Sequence, residues 1–273
     1  MDKYNLTIEE VHLLLIEMMD KIEEVATQSG CVYYLHAGTA LGAVRHKDLI
    51  PWDDDADVII PINCYEKFIK ALKDADLGKF EVIYRNPKCT RMQAKMVLKK
   101  QSEDLVCIDL FPMIGVGNSL EEQKSLDEKS SKIRSYYKYE HELANSTSSN
   151  IFKAIAKKMI VAAMKLWKSD KKLYRLFDED VLYKYDFEKS EYVTQPCGKY
   201  GLKNVIKKEL YGTPVLRVLG NKKYPTPELI DDYLTHYYGD YMKTPSEESK
   251  QKSINKERIL VGNKNSYLSC TQQ

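Results

Sequence analysis

The chain has little of what marks a membrane-spanning, secreted or nucleic-acid-binding protein. Its 42 lysines and arginines are balanced by 40 aspartates and glutamates, so the net charge of +2 lacks the basic excess of a nucleic-acid binder. No uncharged apolar run approaches the ~18 residues that a transmembrane helix needs. Residues 1–25 contain acidic side chains throughout and no small-residue cleavage site. We therefore expect no signal peptide, no membrane-spanning helix and no nucleic-acid partner.

Cysteines are also few and far apart. None of the six belongs to a C-x-x-C pair, the spacing typical of zinc ribbons and thiol redox motifs. A chain of this length can bury a sizeable core without disulfides. We therefore expect a cytoplasmic protein with reduced cysteines that only pack. These cysteines are Cys31, Cys64, Cys89, Cys107, Cys197 and Cys270.

Hydrophobic periodicity predicts an α+β fold. Thr7 and Glu10 have the spacing of a capping box, and the apolar residues that follow recur at helical spacing, which predicts a helix over 7–29. Asn63 and Glu66 predict a second capped helix over 64–75. Runs of strand-forming residues predict five strands, over 31–36, 55–62, 80–85, 91–100 and 105–113, and a last helix is predicted over 227–239.

These elements suggest three consecutive regions. Residues 1–118 carry the predicted sheet and form a predicted catalytic core. Residues 119–185 are long, charged and helical in pattern, which predicts a helical insertion. Residues 186–273 contain short strand-like pieces, punctuated by glycine and proline, and the last helix, which together complete the predicted domain.

An acidic segment, "WDDDADVII", places four aspartates in five positions directly before an apolar run. In a strand, alternate side chains share a face at about 6.6 Å spacing, so Asp53, Asp55 and Asp57 point one way and Asp54 the other. Such crowded carboxylates repel one another unless a cation neutralises them, and Mg²⁺ or Mn²⁺ suits oxygen ligands. A solvated acidic loop is the alternative. An EF-hand is excluded because Val58 and Cys64 occupy its glycine and glutamate positions.

A glycine-containing turn precedes the acidic segment. Gly38 and Thr39 follow a predicted strand and begin a short helical pattern, a place where backbone N–H groups bind phosphate oxygens. Cationic donors for a polyphosphate follow at Arg45, His46 and Lys47. By itself this motif is equally typical of a tight turn, and Arg45 and Lys47 of solvated surface cations.

A third carboxylate, Asp109, lies in the apolar segment "CIDLFPM". A buried charge of this kind is normally paired or binds a metal. Together, the Gly-Thr turn, the D-x-D segment and this later aspartate resemble the nucleotidyltransferases related to DNA polymerase β. Asp53, Asp55, Asp57 and Asp109 are therefore the predicted catalytic and metal-binding residues.

The resemblance to one family is more specific. "HAGTALGAVRHKDLIPWDDDADVII" resembles the signature of the LicD family, the bacterial phosphocholine transferases related to the fukutin proteins, and "IDLFPM" and "YLTHYYGDYMKTP" resemble its later motifs. This resemblance implies a nucleotidyltransferase-type mixed sheet with flanking helices and a bound Mg²⁺ or Mn²⁺. It also implies transfer of a phospho-alcohol, first of all phosphocholine, from a CDP-activated donor to a glycan of the cell envelope. The chain departs from the signature at Ala37 and Ala40.

Several alternatives stay open at this point. The carboxylate that accepts the proton of the acceptor hydroxyl is Asp109 or Asp53. A nucleotidyltransferase that attaches NMP to a small molecule or protein, or a non-catalytic glycan-binding relative, has the same motifs. Residues 151–168 are basic and amphipathic, which fits either packing against a core or peripheral contact with the inner face of the membrane and a lipid-linked glycan acceptor. The tyrosines of 233–241 fit either packing or stacking on a ligand.

Overall fold

The computed structural model divides the chain into two compact units. The first contains residues 1–83, 94–112 and 206–273, and the second contains residues 84–93 and 113–205. The residues that the structure describes are 3–85, 91–101, 105–145, 151–198, 200–254, 258–262 and 265–268.

The elements follow one another in an order typical of the α+β class. The helices are α1 (Ile8–Ser29), α2 (Ala37–Arg45), α3 (Ile62–Asp74), α4 (Leu120–Asn145), α5 (Ile151–Trp167), α6 (Asp170–Phe177), α7 (Ile230–Tyr238), α8 (Glu247–Ile254) and α9 (Asn265–Leu268). The strands are β1 (Lys3–Asn5), β2 (Tyr34–Leu35), β3 (Ala56–Pro61), β4 (Phe80–Ile83), β5 (Ala94–Leu98), β6 (Cys107–Val116), β7 (Tyr192–Thr194), β8 (Ile206–Lys207), β9 (Val215–Leu219), β10 (Lys222–Thr226) and β11 (Ile259–Val261).

The first unit is built around a sheet with the strand order β2-β3-β6-β5-β4. Helix α3 is fixed to this sheet by Tyr65, whose buried hydroxyl donates to the carbonyl of Leu110 at 2.8 Å and accepts from the N–H of Ala94 at 2.9 Å. The apolar face of α1, from Val11 to Ala26, is also buried. The sheet therefore presents β3, which carries Asp57, and β6, which carries Asp109, as neighbours in its interior.

Most of the elements of the first unit agree with those predicted from the sequence. Thr7 and Glu10 form the predicted capping box of α1, and the predicted α+β class is confirmed. The first predicted strand is shortened to β2, because the N–H of Cys31 still bonds to α1 at the carbonyl of Ala26. The predicted cap at Asn63 is wrong, because α3 already begins at Ile62 with Pro61 as its N-cap.

The second unit is mainly helical. Helices α4, α5 and α6 fill most of residues 120–177, which confirms the helical pattern predicted for 119–185. Strand β7 pairs antiparallel with the end of β6, where Ile114 lies opposite Thr194. The two compact units are discontinuous in sequence. The division into three consecutive regions stays a prediction about domain organisation.

Two further expectations concern helices and cysteines. Within the described ranges, every helix is too short or too polar to cross a membrane. Cys31, Cys64, Cys107 and Cys197 are free thiols, which agrees with the absence of C-x-x-C pairs. Cys89 and Cys270 lie outside the described residues.

Candidate active site

The acidic segment enters β3 with the alternation that the sequence predicts. Asp54, Ala56 and Val58 are buried, whereas Asp53, Asp55 and Asp57 are half-buried. The strand begins only at Ala56, because the N–H of Asp53 turns back to the carbonyl of Ile50 at 2.8 Å. Asp57 therefore belongs to the strand, whereas Asp53 and Asp55 lie in the turn and the short segment before it.

Asp57 lies where negative charge accumulates. Burial raises the pKa of its carboxyl well above the usual range, and the charges of Asp55, Asp109 and Asp53 raise this pKa further. Lys95 acts in the opposite direction. The four aspartates that the sequence singled out thus interact electrostatically as one cluster, which we call the carboxylate cluster.

Asp109 reaches this cluster from β6 together with a cation that the sequence analysis missed. Lys95 on β5 lies directly opposite Asp109 in the antiparallel register, and its Nζ is 3.6 Å from Asp109 Oδ1. The lysine is only 3% exposed. A lysine inside the apolar strand segment "AKMVL" was the available signal, because a buried ammonium requires a counter-charge.

Asp54 has a different role from its neighbours. Its buried carboxylate forms an ion pair with the guanidinium of Arg258, whose Nε donates to the carbonyl of Leu105 at 2.9 Å. Burial lowers the pKa of Arg258, and the charge of Asp53 raises it in part. The buried and paired state of Asp54 argues against the alternative of a solvated acidic loop.

The cluster has the chemistry of a divalent cation site. One oxygen each of Asp53, Asp54 and Asp55 lies within 4.8 Å of the others. Because Asp54 already neutralises Arg258, a cation here would draw on Asp53 and Asp55, with Asp57 and Asp109 beside them. Hard oxygen donors and the mutual repulsion at Asp57 both fit Mg²⁺ or Mn²⁺.

The Gly-Thr turn forms the first turn of α2. A Cβ on Gly38 would come within 2.8 Å of Asp53 Oδ2, so the glycine gives this carboxylate its space. Ala37, where the family signature has glycine, adopts φ +45°, a left-handed conformation that favours glycine.

Thr39 connects α2 to the strand that carries Asp57. Its Oγ1 accepts a hydrogen bond from the N–H of Asp57 at 2.8 Å, and its own N–H donates to the carbonyl of His36 at 3.0 Å. The side chain is 3% exposed. Thr39 therefore positions the backbone of the carboxylate cluster, and a direct contact with phosphate stays a prediction.

A cleft of about 590 Å³ opens beside Asp53 in the first unit. Its wall combines cationic and aromatic side chains, a combination suited to a diphosphate joined to a ring or an alkylammonium group. The described residues that line it include Gly38, Arg45, Trp52, Asp53, Tyr238, Tyr241 and Lys243.

The three predicted cationic donors are placed differently. Arg45 lines the cleft, and its guanidinium donates to the carbonyl of Tyr241 at 2.9 Å while its Cζ lies 5.9 Å from the Trp52 ring centre. His46 packs edge-on against Trp52, and burial followed by the charges of Arg45 and Lys250 lowers the pKa of its imidazole. Lys47 is exposed in a left-handed turn. Of these donors, the cleft lining includes only Arg45 among the described residues.

The C-terminal tyrosines divide between packing and the cleft. Tyr233 and Tyr237 are buried against His36, and the Tyr233 hydroxyl is 2.8 Å from His36 Nδ1. Burial lowers the pKa of His36 to about 3, so this histidine is neutral and packs between these tyrosines as part of the core. Tyr238 and Tyr241 instead line the cleft. Packing is therefore confirmed for Tyr233 and Tyr237, and stacking of Tyr238 or Tyr241 on a ligand stays a prediction.

Comparison with known proteins supports membership of the LicD family. Residues 30–144, which contain all the predicted site residues, match the family described as LicD/FKTN/FKRP, nucleotidyltransferase domain. Over 259 residues the chain is 23% identical to the lipopolysaccharide cholinephosphotransferase LicD of Haemophilus influenzae, an alignment that covers 90% of this chain and 95% of that protein. Over 46 residues it is 44% identical to an uncharacterised protein of Rickettsia prowazekii, which is 17% of each chain.

Proposed function

We propose that the protein is a phosphocholine transferase that uses a CDP-activated donor and a hydroxyl of a cell-envelope glycan as acceptor. The observation that carries this proposal is the carboxylate cluster, which contributes Asp53 to a cleft lined by cations and aromatic rings. The name of the Haemophilus relative, a lipopolysaccharide cholinephosphotransferase, supports both the transferred group and lipopolysaccharide as the class of acceptor. Teichoic acid and capsule are acceptors of the same chemistry.

We also propose that the first unit is a nucleotidyltransferase-type core. The arrangement that supports this is the succession of α2, β3 and β6. The Gly38–Thr39 turn begins α2, Asp57 lies on β3, and Asp109 lies on the adjacent β6. A glycine-containing helix start beside carboxylates on neighbouring strands brings an anionic donor and its counter-ion together.

In the proposed reaction, the acceptor oxygen attacks the phosphorus that carries choline. The bond from this phosphorus to the bridging oxygen breaks, CMP leaves, and the hydroxyl proton passes to a carboxylate, for which Asp109 and Asp53 stay the predicted acceptors. A Mg²⁺ or Mn²⁺ held by the carboxylate cluster would neutralise charge on the diphosphate. Arg45 adds positive charge to the cleft wall, and Trp52, Tyr238 and Tyr241 offer ring faces to the cytosine or the quaternary ammonium.

The products distinguish this reaction from nucleotidyl transfer. We expect CMP to accumulate when the protein is incubated with CDP-choline, Mg²⁺ and a lipopolysaccharide or teichoic acid acceptor. The reason is that the bond between the bridging oxygen and the choline-bearing phosphorus breaks. A chelator should abolish the reaction, and Mg²⁺ or Mn²⁺ should restore it. Pyrophosphate released from CTP, with no CMP from CDP-choline, would instead identify a nucleotidyltransferase. No turnover with either donor would favour a non-catalytic relative.

We further propose that α5 binds an anionic membrane surface, where a lipid-linked acceptor would be found. One side of this helix consists of exposed apolar side chains: Leu166 is 90% exposed, Phe152 79%, and Met159 and Trp167 68% each. At 100° per residue these four positions share one face. The helix contains lysines but no acidic residue, and a basic helix with an outward apolar face and a tryptophan is typical of interfacial binding.

Vesicle binding tests the membrane proposal. We expect the protein to co-sediment with phosphatidylglycerol vesicles and less with phosphatidylcholine vesicles, and added salt should weaken the binding because the lysines contribute by charge. The double substitution Leu166→Ser and Trp167→Ser should release most of the bound protein. Leu120→Ser on α4, which is also exposed, is the matched control. Equal sedimentation of both variants would contradict a role for α5.

A further inference from the structure

A second group of metal-ligating side chains lies in the helical second unit. Glu140 and His141 are adjacent near the end of α4, and Asp170 is the first residue of α6. One ligand atom of each residue lies within 4.8 Å of the other two. Both side chains on α4 are buried, with the glutamate fully enclosed and the histidine 3% exposed.

Several ligand atoms of this group lie in ion-pair contacts but make no hydrogen bond within the described residues. Neither carboxylate oxygen of Glu140, nor Nε2 of His141, nor Oδ1 of Asp170 has a hydrogen-bond partner within the part of the chain that the structure describes. His141 Nε2 faces Asp170 Oδ2 at 4.0 Å, which is too long for a hydrogen bond. A buried polar atom without a partner is costly, so this arrangement is typical of a site completed by a ligand.

The orientation of the histidine ring leaves Nε2 available to a metal. His141 Nδ1 is 3.0 Å from the carbonyl of Tyr137, one helical turn earlier, so Nδ1 carries a hydrogen. Nδ1 also lies 3.4 Å from Glu140 Oε2, and Nε2 is the nitrogen that faces Asp170. Metal-ligating histidines are commonly held in this way, with the other ring nitrogen donating to a backbone carbonyl. The ring also packs against the Tyr137 ring at 4.1 Å, which fixes its plane.

The charges allow a dication. Lys165 Nζ lies 3.4 Å from Glu140 Oε1, with the lysine side chain half exposed, so one of the two carboxylate charges is already balanced from the surface. A neutral His141 leaves the group with one net negative charge. We propose that Glu140, His141 and Asp170 bind Zn²⁺, for which one imidazole and two carboxylates are suitable ligands and a water can complete the four-coordinate shell.

This ion would join α4 to α6. The two helices flank α5 in sequence, and within the described chain they contact each other through the Tyr137 and Tyr174 hydroxyls at 2.7 Å. A zinc bound to Glu140, His141 and Asp170 would add a further connection. Because the ion binds only the folded arrangement, it should stabilise the second unit.

Zinc titration in the presence of millimolar Mg²⁺ tests this site, because Mg²⁺ occupies oxygen-ligand sites such as the carboxylate cluster. We expect the full-length, tag-free protein to bind one Zn²⁺ and to melt at a higher temperature. His141→Gln and Asp170→Asn should each weaken zinc binding at least ~10-fold, the loss that follows from removing a ligand or its support. The control His236→Gln alters an exposed histidine.

A cobalt spectrum gives an independent readout. Co²⁺ in place of Zn²⁺ should show visible absorption bands of a four-coordinate site, and these bands should disappear in His141→Gln while circular dichroism shows that the variant is folded. Zinc uptake that is unchanged in both His141→Gln and Asp170→Asn would overturn the proposal. A wild-type protein that binds no zinc would also overturn it.

Discussion

Replacing Asp57 by asparagine should make the protein more stable and nearly inactive. Burial and three neighbouring carboxylates raise the pKa of Asp57, so its ionised form is disfavoured in the folded state. The uncharged amide removes this repulsion and should raise the melting temperature at neutral pH. Turnover should fall by about 100-fold or more, the loss seen when a principal charged group of an active site is removed.

The pH dependence gives the sign of this effect. Because the folded-state pKa of Asp57 lies above the unfolded value, ionisation destabilises the fold increasingly as the pH rises from the unfolded pKa to the folded one. The stability gained by Asp57→Asn should therefore be present at neutral pH and vanish in acid. Asp74→Asn, which changes only an exposed ion pair with Lys70, should alter neither stability nor turnover appreciably.

Either of two results would contradict this account of Asp57. A variant with full turnover would show that the carboxylate is structural, and a variant with unchanged stability at all pH values would show that the cluster is not electrostatically strained. Melting curves across the pH range and CMP release per folded molecule measure the two effects separately.

The second large effect should come from Asp54, in the same acidic segment. Its replacement should lower stability and leave turnover nearly unchanged. Asp54→Asn removes the counter-charge of the buried Arg258, and breaking a buried ion pair from one side costs about 3–5 kcal/mol. For a chain of this size the melting temperature should fall by roughly ten degrees. Turnover per folded molecule should change little, because the Asp54 carboxylate forms an ion pair with Arg258 and is not one of the proposed metal ligands.

A double-mutant cycle is the control for this pair. Asp54→Leu combined with Arg258→Met should cost clearly less stability than the sum of the two single changes, because no uncompensated charge stays buried. Additive costs, or an unchanged melting temperature in Asp54→Asn, would show that the two residues do not depend on each other.

Local patterns predicted much of the first unit. The period-two alternation separated Asp54 from Asp53, Asp55 and Asp57, and the structure shows the same alternation of burial. The capping box located the start of α1, and the apolar flanks of Asp109 located β6. These features depend on residues close together in sequence, so the sequence is sufficient to find them.

These local patterns could not predict which residues from distant parts of the chain form contacts. The pairing of Lys95 with Asp109 depends on strand register, and that of Asp54 with Arg258 joins distant parts of the chain. Composition and spacing suggested that Lys47 and Thr39 bind phosphate, but the structure places the first on an exposed turn and the second in a buried backbone connection. Trp52 lines the cleft in the folded protein, a position that no local pattern predicted.

The most direct test of the central claim is a crystal of the protein soaked with Mn²⁺ and CMP. The carboxylate cluster should give a manganese anomalous peak next to Asp53 and Asp55, with the CMP phosphate towards Gly38 and Arg45 in the cleft. The peak should be absent in crystals of Asp57→Asn or much weaker there. Manganese found only elsewhere, or CMP bound outside the cleft, would contradict the proposal that these aspartates hold the cation for phosphocholine transfer.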